Sequence, residues 1–113
     1  ILIGLVGSEM CIRDSYDILQ QIPRSELIHY CSRQVYEIYQ YDAAQHTDYI
    51  TTLLAYLKAN RSVKSTAAYL HVHRNTVNYR IARIRELFGL DLDSFSTAHQ
   101  ILLSCQMIRL LQD

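Results

Sequence analysis

The sequence predicts an all-α fold, a small bundle of about five helices, on three observations. Only three glycines and one proline interrupt 113 residues, half of the residues are apolar, and no segment sustains an alternation of period two. This length supports one domain with one core. From Pro23 a first helix is expected, with Ser25 near its start and Leu27, Ile28, Cys31, Val35, Ile38 and Tyr39 along one side. A second begins near Thr47, an N-cap residue type, and carries Ile50, Leu53, Leu54 and Leu57; these two helices are expected to form a support layer. A shorter third helix follows Ser62, its expected N-cap, and turns Val63, Ala67 and Leu70 inward. In the fourth, Val77, Ile81, Ile84 and Phe88 recur at spacings of four, three and four, which lays one buried stripe along a helix. Gly89 stops it as a left-handed residue, with Leu90 folding back on Ile84. A last helix starts near Ser94 or Ser96 and buries Ile101, Leu102, Cys105, Ile108 and Leu111. Its stripe is widened by Leu103, Met107 and Leu110, which fits core packing or contact with a partner subunit or further domain.

Formal net charge is zero, yet the charge is not spread evenly. From Tyr49 to Arg85 there is no aspartate or glutamate, while Lys58, Arg61, Lys64, Arg74, Arg80, Arg83 and Arg85 all fall there. A polyanion senses such a local patch within a Debye length, about 8 Å at physiological salt. The fourth helix carries Arg74, Asn75, Asn78, Arg80, Arg83 and Arg85 away from its apolar stripe. Arginine forks match phosphate oxygens and the O6/N7 edge of guanine, and an asparagine amide matches adenine N6/N7. A basic amphipathic helix behind a three-residue turn, His71 to His73, has the shape of a DNA recognition helix. Ala67 supplies the small residue that a close helix crossing requires.

The spacing of Ala67, Leu70, Val72, Val77 and Ile81 resembles the Fis-like helix-turn-helix class. The longer string TAAYLHVHRNTVNYRIARIRELFGLDLD, Thr66 to Asp93, resembles the C-terminal domain of PucR/CdaR-type bacterial transcriptional regulators. The likeness extends more weakly over residues 41–63 and the last helix, so that residues 16–113 are expected to form one helical DNA-binding domain with its helix-turn-helix at about 62–88. The resemblance implies sequence-specific binding of a double-stranded DNA operator by a bacterial regulator, an activator of a catabolic operon. It implies a helix inserted in the major groove, with His73, Arg74, Thr76, Asn78 and Tyr79 near base edges and Lys64, Arg80 and Arg83 near phosphates. Asn75 is expected to cap the helix or to meet a phosphate. Asn78 stands where many relatives have arginine, which leaves open the base read there. Palindromic operators need two reading heads, so a homodimer or higher oligomer is expected, formed through other domains or the last helix. Members of the family carry a sensory region and a middle domain ahead of this module, and the chain is expected to be a fragment of such a protein.

Other chemistry finds little support. His71 and His73 lack further ligands at metal spacing, Cys31 and Cys105 are isolated on apolar faces, and Gly4, Gly7 and Gly89 cannot form a phosphate loop. Asp91 and Asp93 suit helix capping better than acid/base work. No enzyme activity, cofactor or metal is expected, and the location expected is cytoplasmic. The alternatives are a helical protein-interaction module without DNA binding, and a small helical enzyme or ligand-binding fragment. Residues 1–15 stand apart: the chain opens on Ile1, and EMCIRDS, Glu9 to Ser15, resembles the translation of a sequencing-library adapter. They are expected to be an artefactual leader. ILIGLV is far shorter than the ~20 residues of a spanning helix, so no membrane segment is expected.

Overall fold

The computed structural model describes residues 16–112, so the expected leader lies outside the described residues. A helical turn at residues 16–19 precedes six helices: α1 Arg24–Tyr30, α2 Arg33–Gln45, α3 Tyr49–Lys58, α4 Val63–Leu70, α5 Arg74–Phe88 and α6 Phe95–Gln112. No strand occurs among the described residues. The all-α expectation holds, and the number of helices exceeds five because the first expected helix is two.

That division falls at Cys31 and Ser32, whose backbones are extended (ψ 137° and 135°). Leu27, Cys31, Val35 and Ile38 share a helical spacing, which carries the expectation straight through the break. What holds the break is distant in sequence: the Ser32 N–H donates to Ser104 Oγ on α6 at 2.8 Å. The Cys31 thiol turns to the Ser104 carbonyl, 3.9 Å away. A backbone donor freed by the break thus finds a buried partner, as it must.

The start of α3 also differs from expectation. Thr47 is not its cap; the helix begins at Tyr49, and the N-cap residue Asp48 makes no side-chain cap bond. Asp42, in the last turn of α2, reaches across instead. Its carboxylate accepts from the N–H groups of Tyr49 (3.0 Å) and Ile50 (2.9 Å) and from the Thr47 hydroxyl. A carboxylate is a stronger acceptor than a hydroxyl and suits the positive end of the helix dipole.

Rather than joining α2 in a support layer, α3 is the hub of the fold. Every residue from Tyr49 to Leu57 except Thr51 is buried, and the helix packs against α2, α4, α5 and α6. A helix that is apolar nearly all round belongs in the centre. Around it, Val35 and Ile38 of α2, Val77, Ile81 and Ile84 of α5, and Ile101, Cys105 and Ile108 of α6 close the main core. A smaller cluster joins Leu19 and Leu27 to Met107, with Leu103 and Leu110 packed on it. The wide stripe of α6 is therefore covered within the chain, by the main core on one side and by α1 on the other. Burial pushes the Cys105 thiol far above its ordinary value and raises that of Cys31, where a bond to Ser104 pulls the other way. Both cysteines are free, and neither is disposed to be a nucleophile.

Candidate nucleic-acid interface

α4 begins at Ser62, whose hydroxyl accepts from the Ser65 N–H at 3.2 Å. It is short because the chain leaves it at His71 in the left-handed conformation (φ 58°). There the Val72 N–H reaches back to the Ala67 carbonyl at 3.1 Å and the His71 N–H to the Ala68 carbonyl at 3.4 Å, a Schellman arrangement. His73 then caps α5, its Nδ1 accepting from the Asn75 N–H at 3.0 Å. Only His71, Val72 and His73 separate the two helices, so the crossing is close. Ala67 is buried there, in one core with Val77 and Ile81.

The far end of α5 is tied differently. Gly89 takes the left-handed conformation (φ 64°) and its N–H returns to the Arg85 carbonyl. Side chains from elsewhere secure the end of the helix and the segment beyond Gly89. Arg61, itself left-handed (φ 65°) in the α3–α4 turn, donates to the carbonyls of Leu92 and Asp93, both at 3.1 Å. Gln34 Nε2 donates to the Phe88 carbonyl at 3.1 Å, and Arg85 pairs with Asp93 at 3.4 Å. Leu90 and Leu92 are buried, as the folding back of Leu90 requires.

The helix is two-sided. Val77, Ile81 and Ile84 face the core, and Arg74, Asn75, Asn78, Tyr79, Ala82 and Glu86 are exposed. Thr76, Arg80, Arg83 and Arg85 lie between, half-buried along the flanks. The basic residues accordingly differ in commitment. Arg80 turns toward α3 and donates to the buried Thr52 hydroxyl at 3.2 Å, so its expected phosphate meets a competing internal acceptor. The Arg83 guanidinium lies beside the Tyr49 and Tyr41 hydroxyls and 3.7 Å from Glu86, and the bond to Tyr49 is the main cause that raises its pKa. Tyr41 is fixed in turn by stacking on Tyr49 and meeting Phe88 edge-on. Burial acts to lower the Arg85 guanidinium, and hydrogen bonds to Asp93 and Tyr56 outweigh it. Among the described residues, Lys64 and Arg74 make no ion pair and no side-chain hydrogen bond. They are the uncommitted cations of the two helices.

Sequence alone leaves Asn75 between capping and phosphate; the cap is His73, and the exposed Asn75 side chain has no partner among the described residues. Sequence reasoning misses Ala82 on the exposed ridge, although Asn75, Asn78 and Ala82 keep the i, i+3, i+7 spacing of one helix face. It misses the strongly exposed Tyr69 at the end of α4 as well. Among the described residues no cluster of three or more metal-ligating side chains occurs, and no helix is long and apolar enough to cross a membrane.

Two helices joined by a three-residue turn, with one exposing a polar ridge between basic flanks, define a helix-turn-helix domain of the DNA-binding kind. Residues 49–107 match the family described as the PucR C-terminal helix-turn-helix domain, and the chain belongs to it. Its similarity to the proline-responsive transcriptional activator PutR of Bacillus subtilis (strain 168) is 32% identity over 95 residues, 83% of this chain and 23% of that protein. The DNA-binding transcriptional activator AdeR of the same organism is 28% identical over 100 residues, 88% of this chain and 23% of its own. The purine catabolism regulatory protein, also from Bacillus subtilis (strain 168), is 40% identical over 60 residues, 53% of this chain and 11% of its own. The chain thus spans less than a quarter of the length of these relatives. No solved structure matches it.

Proposed function

We propose that this chain reads operator DNA for a transcriptional regulator that activates a catabolic operon, with no reaction of its own. The relatives' names, two of them activators and one a regulator of catabolism, support that part of the reading. The observation that carries the DNA mode is the sorting of α5 into a core stripe, an exposed ridge and basic flanks. The ridge enters the major groove, with His73, Arg74, Asn78 and Tyr79 at base edges, joined by Asn75. Lys64 and Arg83 meet phosphates, Thr76 contacts from the flank, and Arg80 steadies α5 against α3. Two copies bind one palindromic site in the cytoplasm, joined through parts of the whole protein outside this chain, since the apolar stripe of α6 is covered within it.

Arg74 and Lys64 separate reading from holding, because neither is tied to another group among the described residues. Arg74→Ala is expected to lower affinity for a selected duplex by about 1 to 3 kcal/mol and to affect scrambled DNA much less. Lys64→Ala is expected to weaken both alike and to reduce the salt slope by about one unit. Anisotropy titrations on both duplexes at several salt concentrations measure this. Binding that ignores salt and sequence in the unmodified chain would remove the DNA-reading role.

A further inference from the structure

We infer that the exposed ridge of α5 is built to read A·T pairs, with Asn75 and Asn78 each recognising an adenine. This rests on the DNA-reading role proposed above and adds the identity of the bases. Both side chains are exposed, and no other group among the described residues hydrogen-bonds either amide. That distinguishes them from Arg80, Arg83 and Arg85 on the same helix, whose guanidinium groups meet Thr52, Glu86 and Asp93. An uncommitted carboxamide offers one donor and one acceptor side by side, which complements adenine N7 and N6–H2 in the major groove.

Placement supports the pairing. The backbone N–H of Asn75 is satisfied by His73 Nδ1, so the first turn is capped without its side chain. The two asparagines are three positions apart, a rise of about 4.5 Å, which lies between one and two base steps of about 3.4 Å. The next position on the ridge is the exposed Ala82, whose methyl group suits the thymine C5-methyl and lets the helix approach closely. Asn75, Asn78 and Ala82 therefore all carry chemistry for A·T pairs. The arginines of the flanks are committed, so Arg74, at the first residue of α5, is the free guanidinium of the helix among the described residues, and any guanine preference falls beside it rather than at Asn75, Asn78 or Ala82. The inferred half-site has two A·T pairs within two base steps of one another.

The test is selection from a random duplex pool with the purified chain at low salt, repeated with Asn78→Arg and Asn78→Ala. The unmodified chain is expected to enrich A·T at two positions within two base steps. Asn78→Arg is expected to convert one of them to G·C and leave the other. Asn78→Ala is expected to weaken the selected duplex about 5- to 150-fold while the salt slope stays constant. Replacing adenine by 7-deazaadenine at that position removes the N7 acceptor and should reproduce the loss. Since the Asn78 amide bonds nothing among the described residues, thermal midpoints of the variants should match that of the parent and exclude misfolding as the cause. A selective pool lacking the two A·T pairs, or a preference that Asn78→Arg does not move, overturns the inference and leaves DNA reading intact. A pool with no enrichment by any form overturns DNA reading itself, and the inference with it.

Discussion

The two ends of α5 are held in opposite ways. At its upstream end, the turn His71 to His73 is fixed by its own backbone and by one ring nitrogen, through bonds that span five residues or fewer. At its downstream end, the segment from Gly89 to Asp93 is held by Arg61, 31 and 32 residues away, and by Gln34, 54 residues from Phe88. The difference separates two demands on a reading helix. The end that carries Asn75 and Asn78 is short and held by local bonds. The other end ties α5 to α2 and to the α3–α4 turn, which sets the angle at which the helix stands on the domain.

The largest test of this contrast is Ala67→Leu. Overpacking the crossing beneath the upstream turn should cost about 1 to 3 kcal/mol, read from urea unfolding, and DNA affinity should fall with it. Unchanged stability and affinity together would mean that the close crossing does not position α5. Next in size is His73→Ala, which removes the cap and should cost about 1 kcal/mol, whereas His73→Asn should recover most of that loss. Thermal midpoints of the pair decide it; equal losses would show that the ring is not acting as a cap. Smallest is Arg61→Ala, with an expected cost of about 0.5 to 1.5 kcal/mol. Alanine meets the same left-handed strain as arginine, so the loss reports the two side-chain bonds. Hydrogen exchange should quicken at Leu90 to Ser94 and hold steady at Val77; equal acceleration at both ends would mean that the two ends are not secured independently.

The same contrast explains how much of the fold is legible in the sequence. Ser62, Gly89 and the spacing of Val77, Ile81 and Ile84 act within a turn or two of themselves, and the helix-turn-helix can be placed from them. The break at Cys31 cannot, because its stabilising partner, Ser104, lies 72 residues on from Ser32 and the apolar spacing continues across it. Asp42 is equally hidden, since a carboxylate late in one helix gives no local sign that it caps the next. In the candidate site the residue types are legible and their orientation is not. Arg80 reads as an ordinary exposed cation until Thr52, 28 residues earlier, is placed beneath it. Asn75 and Ala82 show the reverse, since the helical spacing alone places both on the ridge.

Three turns of this fold are made by residues that pay a steric penalty for their backbone: His46, the pair Asn60 and Arg61, and His71 all have positive φ. Left-handed geometry costs a non-glycine residue about 1 to 2 kcal/mol, less for asparagine, whose short polar side chain tolerates it. His46 and His71 therefore mark an engineering reserve. Neither side chain makes an ion pair or hydrogen bond among the described residues, and both are exposed. Glycine at either place would relieve the strain at some cost in unfolded-state entropy. A more thermostable form of the domain is accessible there without altering a residue of the reading ridge.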